Sequence, residues 1–196
     1  MQTLTAETAS APAQSGWLKT YYFLRFGVSA VWVAAAFTVA RASPQLAATL
    51  LVAYPLWDAI ANVLDARRGG GLARNRSQLL NVVVSLLAAI AVIAALDQGM
   101  SAVLVVYGLW ATLAGLFQLV TAARRWKSHG AQWAMILSGA QSALAGIFFV
   151  RMAGGTAPIG IATIAPYAAF GAFYFLLSAI WLTVGDARSG AKRVTR

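Results

Sequence analysis

Arg25 and Asp58 are charged residues set inside long apolar stretches, where a charge is costly and faces protein or a wet cavity. Tyr54, Asp58 and Asn62 follow one another at four-residue spacing, so a helix would place them on one face, continued by Asp65 near its end. Two kinds of chemistry fit. In the structural reading, Arg25 and Asp58 form an ion pair fixing the register of two neighbouring helices, and the amides tie helices together. In the functional reading, Asp58 lines a polar cavity or a proton-responsive path. Asn81, Gln118 and Gln141 supply further amides, and Tyr167 and Tyr174 supply hydroxyls. Pro55 adds a discontinuity beside the stripe, because its ring takes away the backbone bond to the Leu51 carbonyl and crowds that carbonyl.

Other chemistry is poorly provided for. The chain has five acidic residues, one histidine and no cysteine, so thiolate chemistry and disulfides are absent. None of these residues is spaced for a metal or for paired acid–base work, and His129 sits in a basic loop where it reads as solvated. Gly69-Gly70-Gly71 lacks the Lys and Ser/Thr of a phosphate-binding loop and reads as a turn. No cofactor, no metal and no enzymatic activity are expected.

The elements that must position these groups are membrane spans. Of 196 residues, 60% are hydrophobic and 10% charged, and mean hydropathy is +0.71. That is a multipass membrane composition. A spanning helix needs about 20 mostly apolar residues, since every backbone amide must be paired within it. Six stretches qualify, near 18–40, 46–64, 77–96, 101–123, 132–150 and 160–184. The expected fold is an all-α membrane protein with six transmembrane helices, arranged as three repeated helical hairpins.

Charge sets the orientation. Net charge is +10, and the cations gather in alternate loops: Arg67, Arg68, Arg74 and Arg76, then Arg124, Arg125 and Lys127, then Arg188, Lys192, Arg193 and Arg196. The opposite loops hold only Arg41 and Arg151. The positive-inside rule therefore puts both termini in the cytoplasm. The same placement argues against nucleic acid as a partner. It makes the lipid bilayer the expected partner, with anionic lipids at the basic loops. Residues 1–16 read as a disordered cytoplasmic tail, 17–188 as the six-helix domain and 189–196 as a basic cytoplasmic tail.

Tyr-x-x-aromatic occurs three times, as Tyr54 to Trp57, Tyr107 to Trp110 and Tyr167 to Phe170, each in the second member of an apolar pair. One hairpin is thus written three times, near 17–68, 77–127 and 132–188. Trp57 and Trp110 lie deep and read as core packing against the tyrosine one turn earlier, with pore or ligand lining as the alternative. Trp17, Trp126, Trp133 and Trp181 fall near the cytoplasmic boundary as interface anchors. Ser138, Ser142 and Gly146 form a small-residue row for close helix packing, either within the chain or in a homo-oligomer. Counted from Trp17 and from Arg67, Arg25 and Asp58 lie at matching depth, roughly 12 to 14 Å from the boundary.

The run Gly115-Leu116-Phe117-Gln118, then Ala122, a basic loop and Trp133 six residues before Gly139, resembles the HdeD family of small bacterial inner-membrane proteins. Members are built from short two-helix repeats. The resemblance is carried chiefly by residues 101–150. It implies a role in acid or envelope stress and brings no catalytic residues. This chain departs from the pattern by delaying proline after the fifth span to Pro158, and by carrying Asp58 and Asn62 where the second repeat has Ala111 and Gly115. A transporter or channel for a small solute or ion, with its polar path near Asp58, is the alternative.

Overall fold

A computed structural model describes residues 4–68, 70–125 and 132–194, and side chains within 16–68, 70–120, 122–123 and 136–188. Trp126 and His129 lie outside the described residues, as do the side chains of Trp133 and of the cations in the second basic loop and the C-terminal tail. The described chain is helical: α1 (Leu4–Phe37), α2 (Pro44–Arg68), α3 (Arg76–Leu96), α4 (Met100–Arg125), α5 (Gln132–Ala153) and α6 (Ile161–Val194). Short 3-10 turns at Val39–Arg41 and Leu72–Arg74 join the first three.

Among the described residues, six helices are long and apolar enough to cross a membrane, over Gly16–Phe37, Pro44–Arg68, Arg76–Leu96, Met100–Val120, Ile136–Ala153 and Ile161–Arg188. They overlap all six expected stretches. Two ends differ. α1 starts at Leu4, so most of the expected N-terminal tail is helical, in keeping with its alanine content. α6 likewise runs on to Val194.

Local chemistry sets several boundaries. The Ser43 hydroxyl accepts the Leu46 N–H at 3.3 Å and Pro44 takes the first helical position, where its missing N–H costs nothing. Between α3 and α4 only Asp97, Gln98 and Gly99 intervene. Gly99 adopts φ +101°, a conformation that disfavours a side chain, and its N–H reaches back to Ala95 O at 3.1 Å.

The chain divides into two compact units, one of Met1–Val31 with Ala169–Arg196, the other Trp32–Ala168. In the first, Lys19 Nζ meets Asp186 Oδ2 at 2.7 Å, and Tyr22 stacks on Phe175 with ring centroids 6.4 Å apart. The Arg25 guanidinium lies 4.2 Å from the centre of the same Phe175 ring, and its Nη1 donates to Tyr21 Oη at 3.1 Å.

In the second unit α2 packs on α3, α3 on α4 and α4 on α5. The α4–α5 contact is the most intimate, and glycine makes it so. A Cβ on Gly115 would sit 2.5 Å from Gly139 O and 2.6 Å from Ala143 N; one on Gly108 would sit 2.7 Å from Gly146 O. The two backbones touch, so most side chains larger than hydrogen are shut out along this seam. Ser142 and Gly146 of the small-residue row are thereby spent inside the chain, with the Ser142 hydroxyl donating to Ala111 O at 2.9 Å. Outward faces of α3 and α5 are apolar, with Ile90 64% and Leu144 66% exposed, as suits contact with lipid.

Candidate functional site: a polar core around Trp110

Three tyrosines from three helices converge on one indole. Tyr54 of α2, Tyr107 of α4 and Tyr167 of α6 place their ring centres 5.9, 5.6 and 6.3 Å from that of Trp110, all edge-on. Edge-on packing sets the positive ring edge against the negative face. Trp32 covers Tyr54 at 4.8 Å and Phe149 covers Tyr167 at 5.9 Å. The first residues of the three repeated motifs are therefore neighbours in space. Their fourth residues are not equivalent. Trp110 is 5% exposed, Trp57 is half-buried, and Phe170 is 54% exposed.

Hydrogen bonds run outward from this centre. Trp110 Nε1 donates to Ser85 Oγ at 3.1 Å, and Ser85 Oγ donates to Asp58 Oδ2 at 2.9 Å. Asn62, one turn along α2, donates Nδ2 to the same carboxylate oxygen at 3.1 Å and to its own Asp58 backbone carbonyl at 2.8 Å. Asp58 thus has donors from α2 and α3, in a region with no bulk water to provide them. Nearer the helix ends, Gln78 Nε2 donates to Asp65 Oδ2 at 3.0 Å, a second tie between α2 and α3.

Pro55 does what the sequence expects of it, and the consequence is met from two sides. Tyr107 Oη donates to the Leu51 carbonyl at 2.7 Å, the carbonyl that the missing Pro55 N–H leaves over. Trp32 Nε1 donates to the adjacent Leu50 carbonyl at 2.7 Å. On the far side of Trp110, Tyr167 Oη lies 3.0 Å from Ser142 Oγ.

Of the residues singled out in the sequence, Tyr54, Asp58, Asn62, Tyr107, Trp110 and Tyr167 come together in this one core. Asn81 lies four residues before Ser85, and Gln118 lies eight after Trp110; neither takes part in the bonds just given. Arg25 belongs to the other compact unit, with Tyr21 and Phe175 as neighbours there. Trp57 Nε1 is buried with no acceptor among the described residues. The sequence does not single out Ser85 or Trp32, and it singles out Ser142 only for close helix packing. Ser85 carried the faintest of signals, a small polar residue in the most apolar of the six spans.

Chemically, the arrangement gives one carboxylate donors from Ser85 and Asn62 and bonds α2, α3 and α5 to α4. Among the described residues no group of three or more His, Asp or Glu side chains gathers to hold a metal.

No curated protein and no solved structure matches the chain. Residues 81–151 match the family described as a short repeat of unknown function, DUF308. The matched stretch runs from within α3 to within the last turn of α5, and so includes Ser85, Trp110 and both faces of the glycine seam. From Asn81 to Arg151 this multipass membrane protein carries the DUF308 short repeat, the domain family to which HdeD-like membrane proteins belong.

Proposed function

We propose that this is a non-enzymatic protein of the bacterial inner membrane, with both termini cytoplasmic, whose polar core holds its helices together. Its role is tolerance of acid or envelope stress, on the likeness to HdeD. The observation that carries the structural part is the chain Trp110–Ser85–Asp58–Asn62, in which the polar groups bury against each other. A conducting path would instead leave them facing a continuous wet route. Cytoplasmic termini are supported by the Lys19–Asp186 contact, which brings the outer ends of α1 and α6 together, and by the cation bias of alternate loops. The three convergent tyrosines support an origin in three repeated hairpins. The basic loops, on this reading, meet anionic lipid head groups.

The decisive experiment is Asp58→Asn in the purified chain reconstituted into vesicles. The structural reading expects lower thermal stability and unchanged ion and proton flux. Altered flux at unchanged stability would favour the alternative, a small-solute or ion transporter or channel with its path near Asp58. Growth of a deletion strain across a range of pH tests the stress role separately.

A further inference from the structure

A groove of about 280 Å³ runs along the outer side of the α2–α3 pair, lined by Leu56, Ile60, Leu64, Val82 and Leu86, with Arg67 at its end. On α2 the lining positions 56, 60, 64 and 67 recur at helical spacing, so they form one stripe that ends in a guanidinium. Asp65 lies nearly opposite Arg67 around the helix, and its carboxylate accepts from Gln78, so it does not neutralise the stripe. Arg67 itself is exposed.

The dimensions point to one kind of occupant. From Arg67 to Leu56 is eleven residues, a rise of roughly 16 Å, and the hydrocarbon core of a bilayer is about 30 Å thick. The stripe is therefore one leaflet long, apolar towards the midplane and cationic at the head-group level. Pockets that bury small-molecule solutes are about 300 to 1,000 Å³ and converge several polar groups. This groove is smaller, and Arg67 is its one charged lining residue. The connection beyond it concentrates cations. Gly71 N–H closes back on Ala66 O at 2.8 Å, and the Arg74 side chain folds against Gly70, so Arg74 and Arg76 follow within a tightly held turn.

We infer that the α2–α3 groove is a binding site for a single anionic phospholipid, one acyl chain along Leu56, Ile60 and Leu86 and its phosphate on Arg67. This rests on the membrane reading above and gives the general lipid attraction of the basic loops a particular address. The lipid would act as a filler of the hairpin's outer face, with Arg67 choosing head-group charge and the aliphatic stripe choosing a chain over a soluble anion.

The test uses the full chain purified in detergent and exposed to mixed micelles of phosphatidylglycerol and phosphatidylcholine, with retained lipid counted by native mass spectrometry. The native chain is expected to retain one phosphatidylglycerol in preference to phosphatidylcholine. Arg67→Gln should cut that preference about five-fold, the effect of one arginine at a membrane surface. Arg188→Gln, outside the groove, should leave it unchanged. Ile60→Trp should fill the groove and reduce retention of both lipids. Equal losses from Arg67→Gln and Arg188→Gln would mean diffuse attraction and overturn the site. Loss of a dimer on Ile60→Trp would make the occupant a second copy of this chain and also overturn it. Should Ile60→Trp fail to fold, the two exposed arginine variants still decide. Recovery of the native chain from cells without detergent would sink the membrane reading itself, a different outcome from lost lipid preference.

Discussion

The Tyr107 hydroxyl stands in for the backbone donor that Pro55 lacks, reaching the Leu51 carbonyl at 2.7 Å across 56 residues of sequence. A buried acceptor left without a donor costs about 1–3 kcal/mol. Tyr107→Phe should therefore destabilise the protein by that amount, read as the shift in reversible unfolding in micelles. Pro55→Ala supplies an N–H to the same carbonyl. In that background Tyr107→Phe should cost clearly less, and equal costs in the two backgrounds would refute the substitution of one donor for the other.

Gly115 and Gly139 lie where α4 and α5 touch backbone to backbone. Gly115→Ala places its new carbon 2.5 Å from Gly139 O, so the helices must part, at a cost of about 1–3 kcal/mol. Gly27 in α1 has nothing within 4 Å of the same position, so Gly27→Ala should be neutral or slightly stabilising. A melting comparison of the two variants checks the contrast.

Ser85 serves two partners, accepting from Trp110 and donating to Asp58. Ser85→Ala strands a buried indole N–H and removes one donor from a carboxylate, for an expected loss of about 1–3 kcal/mol and a shift in tryptophan emission. Among the described residues Ser178 bonds to Tyr174 O in its own helix, at 2.8 Å. Ser178→Ala should do little by either measure. Similar losses from both would show that Ser85 has no special place.

Lys19 and Asp186 are close, at 2.7 Å, but their side chains are 28% and 43% exposed. Pairs in contact with solvent contribute about 0–1 kcal/mol and weaken in salt. Lys19→Ala should lower the melting temperature only slightly, and the difference should shrink as salt is added. A large, salt-insensitive loss would mean that the contact organises the α1–α6 unit.

The spans were legible because hydropathy and length are properties of a segment, and each segment announces itself. The stripe Tyr54, Asp58 and Asn62 was legible for the same reason, since helical spacing within α2 decides it. Partners across helices were not. Pro55 predicts a spare carbonyl at Leu51, yet nothing within α2 says that Tyr107 will answer it. Ser85 was missed because a single hydroxyl in an apolar helix reads as a small packing residue. The ion pair expected between Arg25 and Asp58 rests on matching depth, and the two residues fall in separate compact units. The neighbours that the structure describes for Arg25 are Tyr21 and Phe175. The tyrosine repeat shows the opposite case, where self-similarity along the chain translates into convergence in space.

The bond from Tyr107 to Leu51 also has a consequence in time. Segments emerge from the ribosome in order, and α2 is made and inserted well before the residue that completes it. Until α4 arrives, the Leu51 carbonyl has to be met by water or by the translocation machinery. A nascent chain stopped after α3 should accordingly be a better substrate for membrane quality control than one stopped after α4, and α4 is then the point at which biogenesis commits.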